Sequence, residues 1–240
     1  MIQANCRAQL TVDDFRFLVE VLARKSSDQP SLEALLGDES SLNQLLDDDA
    51  VFDAILNRNG CLKISPHLYF YVIARRILRN AGIEDRAVAD YLGEMLTEFS
   101  NAARVHTLPT RPGQQFEYIS DLLAVIREAR QEETFVVRAH IGNYTLFLTG
   151  VFPQHLEHRT RFKGAPDISF YEGVGSQNFR ILSDNNIAHR KQLHDVFNCL
   201  GEQFHQIRVA MNDMSDRLLH LDTGDARVDA ALKLIGGDGT

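Results

Sequence analysis

The chain has no tryptophan, three cysteines and six prolines in 240 residues. Cys6, Cys61 and Cys199 stand far apart and form no C-x-x-C pair, which argues against a thiolate zinc site. Long apolar runs are missing as well. Stretches such as Tyr69–Ala74 and Leu146–Leu148 fall far below the roughly 20 residues that a bilayer span needs. The first ten residues, MIQANCRAQL, lack the apolar core of a secretory leader, so a reducing cytoplasm is the expected compartment. Positive charge is in deficit: 25 Lys and Arg stand against 33 Asp and Glu, a formal net charge of -8. That balance weakens attraction to phosphate backbones and anionic lipid, and no nucleic-acid partner is expected.

What is present is ordinary globular material, 44% hydrophobic with 14 Phe, patterned almost throughout at helical spacing. Thr11 with Asp14 reads as a capping box before Phe15, Leu18, Val19 and Leu22. Ser31 reads as the cap of a short helix ending at Gly37, and Ser41 as the start of one that continues through Phe52, Ile55 and Leu56 to Asn59-Gly60. Ser65-Pro66 is a strong helix start, with the stop at Asn80-Ala81-Gly82. Further helices are expected over 85–99 and 118–130, separated by a long loop over 101–115. Residues 133–152 are apolar on several sides, the mark of a central buried helix, which Pro153 is expected to end. A basic loop with Arg159, Arg161 and Lys163 and a helix over 167–182 follow.

Leu193, Phe197, Leu200, Phe204, Ile207, Met211, Met214, Leu218 and Leu221 alternate spacings of four and three, a heptad seam. A single rod of about 40 Å would carry it. The expected fold is an all-α multi-helix bundle with this long C-terminal heptad-patterned helix. Its divisions are expected at 1–62 (small acidic helical subdomain), 63–222 (main bundle) and 223–240 (short helix and tail).

Candidate chemistry is sparse. Glu202 and His205 form the Glu-x-x-His pair used by di-iron bundles, but those need two such pairs and two further glutamates. Both sit on the side of the rod away from the seam. His155 and His158 have zinc-like spacing without further ligands, so these four are weak metal candidates and no metal is expected. The central helix embeds Arg138, His140, Asn143, Tyr144, Thr145 and Thr149 among apolar residues. Buried polar groups need partners, so either these satisfy each other in a bundle core or they line a cavity for a polar or amphipathic ligand. Ligand-pocket candidates are Arg138, His140, Asn143, Tyr144, Tyr171 and Glu172. Gly142 and Gly150 share a face, permitting close packing or leaving room. Tyr171–Gly175 is glycine-rich but lacks the spacing of a dinucleotide fingerprint, and Glu172 is expected to pair with Arg138 or Arg180. No catalytic residue and no cofactor can be named.

Gly142-Asn-Tyr-Thr-Leu-Phe-Leu-Thr-Gly-Val-Phe-Pro153 followed by Asp167-Ile-Ser-Phe-Tyr-Glu-Gly-Val-Gly175 resembles a motif pair of helical bacterial proteins with no assigned activity. There a glycine-led, Leu-Phe-rich helix closes on Phe-Pro, and an aromatic pair is followed by glycine. The resemblance implies that this central hairpin is the defining part; it carries over no site residue.

The leading expectation is a non-enzymatic homodimeric binding or regulatory protein, pairing through Leu193–Leu221. One rival is a small-molecule carrier or sensor with a pocket at the central helix. The other is a metal-dependent, ferritin-like oxidase.

Overall fold

The computed structural model describes residues 3–23, 25, 28–57, 64–116 and 118–219, with 102 and 215–219 described by backbone alone. It is all-α: among the described residues there is no strand, and one isolated bridge joins Thr107 to Gln115. Two compact units divide the chain, one of residues 3–97 and one from residue 98 onward.

The first unit opens with a 3-10 turn, Cys6–Gln9, then α1 (Val12–Leu22), α2 (Gln29–Leu36), α3 (Glu39–Leu46), α4 (Asp49–Asn57), α5 (Pro66–Asn80) and most of α6 (Arg86–Phe99). The Thr11 capping box forms as expected, and its Asp14 does more than cap. Fully buried, the Asp14 carboxylate accepts from Thr11 N at 2.7 Å, from the Thr11 hydroxyl at 2.9 Å and from Ser65 N at 2.6 Å. It therefore joins the start of α1 to the start of α5. Helix α2 begins at Gln29, ahead of Pro30, because a proline in the first turn loses no hydrogen bond; Ser31 is not its cap. The helix expected from Ser41 onward is two helices. Asp38 caps the first through Ser41 N, and the Asp48 side chain takes Ala50 N at 2.8 Å, starting α4 afresh. The expected stop at Asn59-Gly60 lies outside the described residues.

Polar links in this unit converge on Asp47. Arg75, 4% exposed, donates to its two oxygens at 3.1 and 3.3 Å, and Arg86 donates at 2.6 and 3.2 Å. Burial alone would raise the Asp47 carboxyl; hydrogen bonds and charge from Arg75 and Arg86 outweigh it and hold the carboxyl below its ordinary value. A carboxyl depressed on folding stabilises the fold above the ordinary value and loses that contribution as pH falls through it. Replacing Asp47 by asparagine is therefore expected to cost about 2 kcal/mol at pH 7 and to flatten the acid limb below about pH 4. Urea midpoints measured from pH 7 to pH 3 check both.

The second unit holds α7 (Ala102–Val105), α8 (Ile119–Glu128), α9 (Gln131–Val151), α10 (Pro153–Lys163), α11 (Ile168–Ser183), α12 (Asn186–Arg190), α13 (His194–Glu202) and α14 (Phe204–Leu219). Helix α9 is its axis, packed by α8, α10, α11 and α14, and every residue from Ala139 to Val151 is buried. The all-round apolar pattern is thus that of a central helix. Gly142 and Gly150 serve packing: a Cβ on the first would lie 2.7 Å from the Phe179 ring, and one on the second 2.9 Å from Met211. Pro153 ends α9 and also opens α10, so the expected basic loop is a helix, closed by Gly164 at φ 64°.

The C-terminal rod is broken. Residues 194–219 form α13 and α14, with Gln203 outside both helices. The seam expectation holds chemically where it can be read: Leu193, Phe197, Leu200, Phe204, Ile207, Met211 and Met214 are all buried. They are buried by their own chain, α13 lying on α11 and α14 on α9. The side chain of Leu218 and all of Leu221 lie outside the described residues.

Candidate functional site

The polar residues embedded in α9 divide into four groups. The threonines turn inward on their own helix: Thr145 Oγ1 donates to Ile141 O at 2.8 Å and Thr149 Oγ1 to Thr145 O at 2.7 Å. Arg138 reaches across to α11 and donates to Asn178 Oδ1 at 2.9 Å, while Asn178 anchors on Val174 O. Asn143 is 2% exposed.

His140 and Tyr144, one turn apart, stack at 6.4 Å between ring centroids with planes 13° apart. His140 Nε2–H donates to Val105 O at 3.0 Å, which fixes the neutral tautomer with the proton on Nε2. Phe99 meets this ring edge-on at 5.7 Å, and His106 meets Tyr144 at 6.1 Å. Burial pushes His140 down to about 4; the bond to Val105 opposes this and His106 adds to it. Burial pushes the Tyr144 phenol up to about 12, helped by Tyr171 and opposed by Arg159. Tyr171 is likewise raised by its burial, with Arg159 pulling it back. His140, Tyr144 and Tyr171 thus share one corner of α9, α10 and α11. His106 and Arg159 join that corner and were not singled out from the sequence for it; a histidine in a Pro-Gly loop and an arginine in a basic stretch gave no periodic signal.

Arg138 and Glu172 sit apart from that corner. Glu172 pairs neither with Arg138 nor with Arg180. Its carboxylate meets Arg208 Nε in a close ion pair and His205 Nδ1 at 3.2 Å. Arg208 in turn donates to Asn212 Oδ1 at 2.6 Å, and Asn212 Nδ2 donates to the carbonyls of Thr149 and Gly150 at 2.9 and 2.7 Å. The chain of contacts ties α11 and α14 to the orphan carbonyls near the end of α9. Arg180 is taken by Glu202 at 2.9 Å.

The four metal candidates are therefore separated in their contacts. Glu202 faces Arg180, His205 faces Glu172, and His158 lies 4.7 Å from the Phe162 ring, with His155 half-buried on the same helix. Among the described residues no three His, Cys, Asp or Glu side chains converge on one point. His189 and His194, which a continuous helix would point apart, stack at 4.3 Å, because Gln192 at φ 56° turns the chain between them.

The open surface feature of this unit lies between α10 and α11. A hollow of about 360 Å³ is lined by Glu157, Thr160, Arg161, Asp167, Ile168 and Ser169. Its sequence neighbours Phe162 and Phe170 are 65% and 44% exposed. Arg161 Cζ lies 5.4 Å from the Phe162 ring centre, and Lys163 stands beside it, exposed. Phe162 stands alone among charges, so no apolar periodicity marked it.

No helix among the described residues is long and apolar enough to cross a membrane. Neither a protein-family model, nor a curated protein, nor a solved structure matches the chain.

Proposed function

We propose that this is a non-enzymatic, cytoplasmic binding protein that presents the α10–α11 corner to an acidic, apolar-anchored segment of a partner protein. The observation that carries this reading is Phe162. Phe162 is 65% exposed and Phe170 44%, each next in sequence to a residue lining the hollow of about 360 Å³, and this pair of exposed rings supports an anchoring surface. Charge gives the partner its sign. The α10–α11 corner holds Arg159, Arg161 and Lys163 against Glu157 and Asp167, three positive charges to two negative, in a chain of net charge -8. An acidic segment is steered toward such a patch and away from the rest of the molecule.

The interior supports a scaffold more than a reaction centre. His140 is neutral at pH 7 with its N–H engaged, and the Tyr144 phenol keeps its proton, so neither is poised to move protons near neutrality.

The test is fluorescence anisotropy with a labelled peptide alternating glutamate with phenylalanine and leucine, beside a mirror peptide carrying lysine for glutamate. Saturable binding of the acidic peptide is expected, weakened about fivefold (~1 kcal/mol) by Phe162→Ser or Arg161→Glu and by salt. Equal binding of the lysine peptide, or indifference to Phe162→Ser, overturns the reading. Sedimentation of the free chain reports the other occupant: a particle of twice the 27.1 kDa chain mass that reverts to monomer with Phe162→Ser would assign the corner to a second copy.

A further inference from the structure

We propose that His140 is an acid-released clasp that holds the segment 105–116 on α9. The segment is closed on itself at its base. Phe116 N donates to His106 O at 2.8 Å, His106 Nδ1–H donates to Phe116 O at 3.0 Å, and Thr107 bridges to Gln115. Its Leu108 and Phe116 fill a small core with Val137 and Ile141 of α9. From α9 the buried His140 side chain reaches the start of this segment, donating to Val105 O.

The His140 imidazole suits the closed segment when neutral: it is 8% exposed, and it gives its one N–H to a backbone carbonyl. A proton on His140 places a cation against the rings of Phe99 and Tyr144 and beside His106. Of the titratable groups around His140, His106 faces it from the segment and Tyr144 from α9. The charged groups elsewhere on the segment and its approach are Arg104, which is exposed, and Arg111, which pairs with Glu133 of α9 at 2.7 Å. Opening the segment brings the His140 ring to water, where burial no longer penalises its charged form.

The sign follows from linkage. Burial holds His140 near 4 in the closed form, against 6.5 in water. The open form therefore binds the proton more readily between those values. The open population rises about tenfold for each pH unit lost between 6.5 and 4. Acid release uncovers Leu108, Phe116, Val137 and Ile141 together, a device that gates an apolar surface by pH.

Native-state amide exchange of the full chain tests this, read at pH 7, 6, 5 and 4.5 after correction for intrinsic rates. Protection of the Phe116 amide is expected to fall about tenfold per unit below about pH 6.5, while amides of α5 hold theirs. His140→Gln keeps a donor for Val105 O and cannot titrate, so its segment is expected to stay protected through pH 5. Glu133→Gln removes the ion pair with Arg111 and is expected to leave the wild-type dependence intact. A segment equally protected at pH 7 and 4.5, or one released identically in wild type and His140→Gln, overturns the clasp. Should His140→Gln fail to fold, the wild-type chain decides: release of 105–116 ahead of α5 supports the clasp, and simultaneous loss of both overturns it.

Discussion

Replacing Gly175 by alanine is expected to destabilise the second unit by about 3 kcal/mol, while the same change two residues earlier, Gly173→Ala, stabilises it by up to about 1 kcal/mol. Both glycines lie inside α11, where alanine is the better helix former, and intrinsic propensity alone predicts a gain at each. Surroundings decide the sign. A Cβ on Gly175 would lie 2.3 Å from Thr145 Oγ1 and 2.5 Å from the Phe204 ring. Neither neighbour has room to yield. Thr145 is held by Ile141 O and Gly142 O, and Phe204 is 2% exposed with its ring 6.2 Å from Phe179. The crossing of α9, α11 and α14 must then widen, and the dispersion energy forfeited across it exceeds the gain in helix propensity. Nothing lies within 4 Å of a Cβ on Gly173. Urea midpoints of the two variants should move in opposite directions; a matched shift of either sign would show that α11 does not approach α9 as closely as described.

Removal of the Asp14 carboxylate is the second large effect. Asp14→Ala is expected to cost the first unit about 3 kcal/mol, and Asp14→Asn about half of that. An exposed N-cap partner is worth about 1 kcal/mol. Asp14 exceeds that figure because it is fully buried and because its third bond reaches Ser65 N, 51 residues away. Alanine would leave both the Thr11 and Ser65 amides without their acceptor at the junction of α1 and α5. Denaturant titration checks the magnitude. A loss below about 1 kcal/mol would mean that Asp14 acts as a local cap alone.

These two sites show what was legible in the chain and what was not. Thr11 and Asp14 announced a capping box, and the box forms; its link to Ser65 could not be read, because spacing along the chain says nothing about a partner 51 residues on. The central position of α9 was legible in its all-round apolar pattern, and the dryness of the seam in its four-three spacing. The break at Gln203 was not, since the heptad pattern runs through it and no proline marks it. Pro153 was legible as a stop but not as a start, because residues 154–163 are largely polar and give no apolar stripe.

The candidate site was legible in part for the same reason. His140, Tyr144 and Tyr171 stood out as polar residues in apolar helices, and they do share a corner. Glu172 stood out too, yet its partners His205 and Arg208 lie on α14, and only the path of the chain brings them to it. His106, Arg159 and Phe162 carry the contacts and the exposure that the site depends on. Each sits in a stretch where polar and apolar residues alternate without a period.

The central claim is that α9 is enclosed by its own chain. Amide exchange across 139–151 at pH 7, repeated over a roughly hundredfold range of protein concentration, measures this directly. Enclosure within one chain predicts that these amides exchange the slowest in the second unit, at rates that do not change with dilution. Rapid exchange there, or protection that fades as the protein is diluted, would contradict it.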